Sequence, residues 1–417
     1  MEVSAVGAIV GLVVAIILIL KKVHPAYGLI TGALVGGLLG GANLTETVGL
    51  MIGGAKNIMP AILRIMTAGI LAGVLIESGG ATKIAETIIE KIGESKALIA
   101  LILATCVLTA VGVFVDVAVI TVSPIALAVA QRAGLSKSAI LVAMIGGGKA
   151  GNIMSPNPNT IAAAETFKLD LSSVMVAGII PAIFGLVVTY LLAKSLSKKG
   201  EGVLADEIDE KGGDKPNFFS AILGPIVAIA LLALRPIAGI SVDPLVALPV
   251  GGIVGCLAMG KIRHLNEYAK FGLSKMSGVA ILLIGTGTIA GIIANSQLKD
   301  VIINGLQNSG LPAFLLAPIA GILMSAATAS TTSGTAVASS VFGNAILGLG
   351  ISPLAGAAMI HSGATVLDHL PHGSFFHATG GSVYLGIKDR LKIIPYECMV
   401  GFTMAVVSTV IYGIILG

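Results

Sequence analysis

Asp116 is the only carboxylate between Glu94 and Glu165, in an otherwise apolar stretch. An ionisable group at the centre of a membrane helix costs roughly 2.5–3.5 kcal/mol on insertion scales, which marks it as a functional position. Its chemistry would be to carry a proton or hold a cation. Residues 146–160, GGGKAGNIMSPNPNT, cannot run as one helix. Pro156 and Pro158 remove amide donors and clash with preceding carbonyls, and freed backbone at membrane depth is tolerated only where it lines a cavity or is buried in protein. Lys149, Asn152, Ser155, Asn157, Asn159 and Thr160 are then placed around a small polar solute, the lysine favouring an anion. Residues 328–335 (TASTTSGT) supply the hydroxyls and amides of Ser330, Thr331, Thr332, Ser333, Gly334 and Thr335 without any charge. Helix N-termini in such a tip favour a carboxylate. Residues 361–373 (HSGATVLDHLPHG) form a second broken segment, in which Asp368 with His361 or His372 reads as a proton relay. The same segment, with His369 and His377, raises the rival idea of a membrane metal site. Pro371 and the lack of a helical His-x-x-x-His pair with a nearby Glu weaken that idea.

These groups need a bilayer around them. Apolar residues make up 55% of the 417 and charged residues 11%, against about 25% charged in a soluble domain. Mean hydropathy is +1.00. At about 20 residues per span the chain allows roughly ten to fourteen membrane segments. Met1–Leu20 lacks a basic start and precedes Lys21–Lys22, so it reads as a first span with its N-terminus outside, not as a cleaved signal. Cys106, Cys256 and Cys398 lie far apart in apolar stretches and read as buried thiols.

The chain repeats itself. Residues 24–41 mirror 243–260, 67–73 mirror 285–291, and 132–136 mirror 348–352, with the offset drifting from 219 to 216. Loops at equivalent places differ in charge: Lys21 and Lys22 have no cationic counterpart in 236–243, whereas Lys261, Arg263 and Lys270 answer a loop at 42–47 that has none. Since cytoplasmic loops hold the excess Lys and Arg, one topology puts about 18 of the 25 cations inside and about three in external loops. The copies are then antiparallel. The predicted fold is an all-α integral membrane protein of two inverted repeats, each about five spans plus a helical hairpin, re-entrant or full. Spans fall near 4–20, 25–41, 57–77, 138–160 and 173–193, then 217–235, 243–260, 274–294, 353–372 and 394–416. The hairpins are 97–134 and 312–350; residues 81–94 lie along the interface, and 195–216 form a cytoplasmic linker. Both termini face outward.

Several motifs resemble the gluconate permease family of proton-coupled symporters, within the ion transporter superfamily. Phe114-Val-Asp-Val117, Pro124 and Arg132-Ala-Gly-Leu-Ser136 are similar to that family's F-x-D-V…P…R-A-G-L-S stretch. Ser155–Thr160 with Ala162–Ala164 and Asp170 resembles its P-P-H-P-x-P segment, although Asn157 stands where sugar-acid permeases carry His. Ser333–Val337 and Asp368-His-Leu-Pro-His372 resemble its G-S-x-T-V and D-x-L-P-H tracts. The resemblance implies a scaffold (1–80 and 217–295), a transport part (95–194 and 296–417), elevator-like movement in a homodimer, and substrates such as gluconate, glycerate, hydroxybutyrate or D-serine.

Together these features predict a multi-pass symporter of the cell membrane that moves a small carboxylate with protons. It needs no cofactor, catalyses no reaction and has no nucleic-acid partner. A sodium-coupled carboxylate or amino-acid transporter is the nearest alternative; an intramembrane metal hydrolase and a passive channel are the others.

Overall fold

The computed structural model describes residues 2–207 and 215–416, so the middle of the predicted linker lies outside the described residues. The first half contains α1 (Ala5–Leu20), α2 (Pro25–Leu39), α3 (Leu44–Asn57), α4 (Met59–Glu77), α5 (Gly80–Ile92), α6 (Ala97–Ala110), α7 (Val115–Ala133), α8 (Lys137–Asn152), α9 (Pro158–Thr166), α10 (Leu171–Ala177) and α11 (Ile179–Leu196). The second contains α12 (Phe218–Ala238), α13 (Pro244–Ala258), α14 (Leu265–Ala294), α15 (Leu298–Ser309), α16 (Leu316–Thr328), α17 (Thr331–Gly348), α18 (Pro353–Gly363), α19 (Ser374–Gly381) and α20 (Ile387–Thr409), which runs on as a π turn over Val410–Ile415.

The repeat is written into the element boundaries. Helices α7, α8, α9 and α10 begin at Val115, Lys137, Pro158 and Leu171; α17, α18, α19 and α20 begin 216 residues later, at Thr331, Pro353, Ser374 and Ile387. Local causes repeat as well. The hydroxyls of Ser136 and Ser352 cap α8 and α18 by accepting from Ala139 N (3.1 Å) and Ala355 N (3.3 Å). A Cβ on Gly147 would fall on the carbonyl oxygen of Ile102, and one on its counterpart Gly363 on that of Pro318, the counterpart of Ile102. Each hairpin thus packs on its broken helix through the same glycine.

Packing is by small residues. On α11, Ala182, Gly185 and Thr189 are buried while Ile183, Phe184, Val187 and Leu191 face outward. Lipid tails solvate large apolar side chains as well as a protein interior does, so close backbone approach is what holds membrane helices together. Helices α1–α4 pack on α12–α14 through such contacts, and α6, α8 and α11 pack with α16, α18 and α20. The two groups meet where α17 lies on α14 and α9, and where α9 lies on α4. Among the described residues, five segments, 59–77, 115–133, 171–196, 262–294 and 387–415, are long and apolar enough to cross a bilayer. Helices α5 and α6 meet at a 99° bend, which suits an amphipathic α5 along the interface.

Four expectations change. The third span of the first half, expected at 57–77, is α4, but a further helix, α3, precedes it, separated at Ile58 with Pro60 opening α4; the counterpart α14 is continuous over 30 residues. The last span begins at Ile387, well before 394, so Arg390 is not a loop cation: it is buried, as is Lys137, which bridges to Glu207 at 2.6 Å. The charge bias therefore rests on fewer free cations than the sequence suggests. The span predicted at 173–193 begins at Leu171 and is interrupted at Gly178. Finally, Pro156 is buried, but Pro371 is uncovered by protein.

The α4–α14 crossing gives a test with an internal control. A Cβ on Gly272 would fall on the Gly69 carbonyl, whereas one on Gly278 of the same helix meets nothing within 4 Å. Gly272→Ala is expected to destabilise the purified protein by about 1–3 kcal/mol, read as a lowered thermal midpoint in detergent; Gly278→Ala is expected to leave the midpoint in place.

Candidate functional site

Helix α8 stops at Asn152 because Pro156 and Pro158 cannot continue it, and α9 restarts with Pro158 in its first turn. Helix α18 stops at Gly363 and α19 starts at Ser374, leaving 364–373 unwound. Lys149, in the last turn of α8, spans the gap between the breaks. Its Nζ donates to Thr365 O (2.7 Å) and Asp368 Oδ1 (2.6 Å) and lies 2.9 Å from His369 Nδ1. Lys149 is 1% exposed and Asp368 5%, so neither charge has water to fall back on. Thr365 follows Lys149 by 216 residues and is its own counterpart in the repeat.

The second hairpin closes over this pair. Ala329, with φ 46°, turns the chain at the tip, and Ser330 caps α17 by accepting from Ser333 N at 3.2 Å. Thr331 then donates its hydroxyl to Asp368 Oδ2 at 2.5 Å. Asp368 is held from both sides, one oxygen by the lysine and the other by the hairpin tip. A Cβ on Gly373 would meet the Ala329 side chain at 2.6 Å, so the end of the second break rests against the same tip.

Around the first break, Asn157 Nδ2 donates to Asn152 Oδ1 (2.7 Å) and Ser155 Oγ to Asn152 O (2.8 Å). The Asn159 amide lies 2.5 Å from His361 Nε2. The hydroxyls of Thr160, Thr335 and Ser339, all buried, make no hydrogen bond. A buried polar group without a partner costs roughly 1–3 kcal/mol, so these three are poised to accept one.

On the other face of the hairpin tip lies a cleft of about 360 Å³ lined by Asp116, Lys275, Ser330, Thr332, Ser333 and His24. Asp116 is half-buried in the first turn of α7. A second cavity, about 420 Å³, opens beside Arg64, Glu165 and Asp243. Arg64 holds the Asp243 carboxylate with two bonds (3.0 and 2.7 Å) and also bonds Glu165. The hydrogen bond from Arg64 holds the Asp243 carboxyl below its usual range.

Residues 3–415 match the family described as GntP family permease. The chain belongs to that family. It is 66% identical over 413 residues, covering 99% of both chains, to an uncharacterized transporter of Haemophilus influenzae. A high-affinity gluconate transporter of Escherichia coli is 22% identical over 394 residues, covering 88% of this chain and 90% of that one. The crystal structure of the Alcanivorax borkumensis YdaH transporter aligns with a TM-score of 0.70 at 16% identity over 90% of each chain, a likeness of fold alone. The protein is therefore a multi-pass membrane permease, and the hydrolase alternative is set aside.

Most of the residues singled out in this GntP permease come together, although several partners differ from expectation. Lys149, Thr331, Asp368 and the 152–160 polar groups gather about the two breaks and the hairpin tip. Lys149 pairs with Asp368. His361 bonds Asn159, and His372 is uncovered, its Nε2 3.3 Å from Ala327 O; neither touches Asp368 as a relay would require. The imidazole that does is His369, 2.9 Å from Asp368 Oδ1. Gly334 packs on Ser325 of the other hairpin arm and offers nothing to a ligand. Sequence reasoning missed Glu397, which is buried and pairs with Arg390 at 2.5 Å. A carboxylate inside the last apolar span was the available signal.

Removing one partner of a buried ion pair leaves the other charge unsatisfied, at about 3–5 kcal/mol. Lys149→Met is expected to lower the thermal midpoint sharply, and Lys149→Met with Asp368→Asn to recover most of that loss. A double variant no more stable than Lys149→Met alone would mean that the pair is not an energetic unit.

Proposed function

We propose that this permease is a proton-coupled symporter of a small hydroxylated carboxylate, working by an elevator type of alternating access. The carrying observation is the buried, charge-balanced Lys149–Asp368 pair at the meeting point of both breaks and the second hairpin tip. In such surroundings a lone added anion costs several kcal/mol. Adding one proton with it restores neutrality: the Lys149 ammonium turns from Asp368 to the substrate carboxylate while the proton compensates the carboxylate left behind. Thr160, Thr335, Asn157 and Asn159 would bond the substrate's hydroxyls, and the first amides of α9 and α17 would favour its carboxylate.

The moving part in this reading is 95–194 with 296–417, carried against a scaffold of 1–80 and 217–295. Arg64 and Asp243 belong to the scaffold and Glu165 to the moving part, so their ion contact lies on the boundary between them. The cleft at Asp116 is the proton's access to the hairpin tip. The charge bias of the loops favours an inner-membrane protein with the linker in the cytoplasm and both termini outside. A homodimer through the scaffold completes the proposal. The name of the Escherichia coli gluconate transporter among the relatives supports a sugar-acid-like substrate, and Asn157 suggests one shorter than gluconate.

The three unpartnered hydroxyls of Thr160, Thr335 and Ser339 favour a second reading, in which sodium is the coupling ion. A thermal-shift screen of D-gluconate, D-glycerate, D-3-hydroxybutyrate and D-serine followed by proteoliposome uptake decides. At least one acid is expected to stabilise the protein and to accumulate under an inward proton gradient, with no response to sodium. Accumulation that follows sodium alone would install the second reading, and no binding by any of the four would remove both. Asp116→Asn is expected to insert normally and to lose proton-driven accumulation; normal accumulation would remove Asp116 from the route.

A further inference from the structure

Beyond Asp368 the buried charges continue. His369, fully buried, lies between the Lys149–Asp368 pair and a second pair on α20. Its Nδ1 is 2.9 Å from Lys149 Nζ, 2.9 Å from Asp368 Oδ1 and 3.6 Å from Glu397 Oε2. Glu397 is itself bound by Arg390 through two bonds, 2.5 and 3.2 Å, and Arg390 stacks on the Phe376 ring and donates to Phe376 O. On the other side of the imidazole, Nε2 faces Ile394 O at 3.3 Å and Cys398 Sγ at 3.4 Å. A carbonyl only accepts, so the hydrogen of the neutral ring belongs on Nε2. Nδ1 is then left with a donor, the lysine, and an acceptor, the aspartate, at equal distance. It can serve either, but not both in one protonation state.

We infer that His369 Nδ1 is where the coupling proton resides. The inference rests on the proton-coupled reading above and names the group that makes it work. With Nδ1 bare, the ring accepts from Lys149, and the charges of Lys149, Asp368, Arg390 and Glu397 cancel. With Nδ1 protonated, the imidazolium donates to Asp368 and can no longer accept from Lys149. The ammonium is released from His369 and, its claim on Asp368 taken over, turns to an incoming carboxylate. The cluster then holds one extra positive charge, which the substrate's single negative charge cancels. No covalent bond changes except N–H formation at Nδ1 from a proton delivered by the gradient. Glu397, held in place by Arg390, adds a second carboxylate near the same nitrogen, 3.6 Å away, and stabilises the imidazolium. Thr331 keeps Asp368 Oδ2 occupied throughout, so that only Oδ1 changes partner.

The test is binding thermodynamics of the purified permease with whichever of the three monoanions, D-gluconate, D-glycerate or D-3-hydroxybutyrate, gives the largest thermal shift. Titrations at several pH values, in buffers of different ionisation enthalpy, give both affinity and protons exchanged. The wild type is expected to take up about one proton per acid bound on the alkaline side, its affinity falling about tenfold per pH unit there. His369→Gln is expected to bind with a flat pH profile and no proton uptake. A variant that keeps both the slope and the stoichiometry overturns the inference and leaves proton coupling itself intact. A wild type with neither overturns the preceding reading. Should His369→Gln fail to fold, nitrogen-labelled histidine spectra of a variant with the exposed His24, His264, His372 and His377 changed to Gln take its place. Only the buried His361 and His369 then remain. Saturating acid near neutral pH is expected to turn one of the two neutral imidazoles into an imidazolium; two unchanged imidazoles overturn the inference.

Discussion

A lysine and an aspartate that have left water together constrain everything around them. Lys149 sits in the last turn of α8 and Asp368 in the unwound segment 364–373, and the breaks that follow each helix let side chains from two separate spans reach one point. The prolines at 156 and 158 end α8 one turn beyond the lysine, and the ten residues between α18 and α19 give Asp368 the freedom to meet it. The glycines of α6/α8 and α16/α18 then bring each hairpin close enough for its tip to matter, and Thr331 is the result. Remove the pair, and neither the breaks nor the hairpin approach has an electrostatic reason to persist at membrane depth.

Much of this was visible in the chain before any coordinates. Self-similarity at an offset near 216 locates the hairpins, both broken spans and the caps Ser136 and Ser352, because turn and cap chemistry is local and repeats with the backbone. Polar residues in apolar surroundings identify Asp116, Lys149 and Asp368 by cost alone. Pairing is another matter. Lys149 and Asp368 are 219 residues apart, and nothing local distinguishes Asp368 from Asp116 as the partner. His369 escaped notice as Asp368's neighbour because only the unwound geometry of 364–373 folds adjacent side chains onto one another. Arg390, spaced between Lys388 and Lys392, looks solvated in the sequence; its burial depends on Glu397, seven residues on, and on the Phe376 ring of another helix.

The two halves also differ in ways that the repeat hides. Helix α14 is continuous where α3 and α4 are separate, and Pro371 is uncovered where Pro156 is buried. A state in which one break is covered and the other is not fits a carrier that presents its site to one side of the membrane at a time, and the cleft at Asp116 opens on the tip of the second hairpin.

The side chains break the symmetry that the backbone keeps. At the offset of 216, Lys149 corresponds to Thr365, Asn152 to Asp368, Asp116 to Thr332 and His369 to Ile153. No charged group at the site is duplicated. The reason is geometric: the Lys149 ammonium already rests on the carbonyl of its own counterpart, 2.7 Å away. A lysine at position 365 would bring a second ammonium to the same place, and two like charges about 4 Å apart repel by about 4 kcal/mol even at an effective dielectric of 20. Where a residue touches its counterpart in the repeat, one can keep a charge only if the other gives it up. The repeated backbone therefore carries unrepeated charges, and the contact between Lys149 and its counterpart enforces that division.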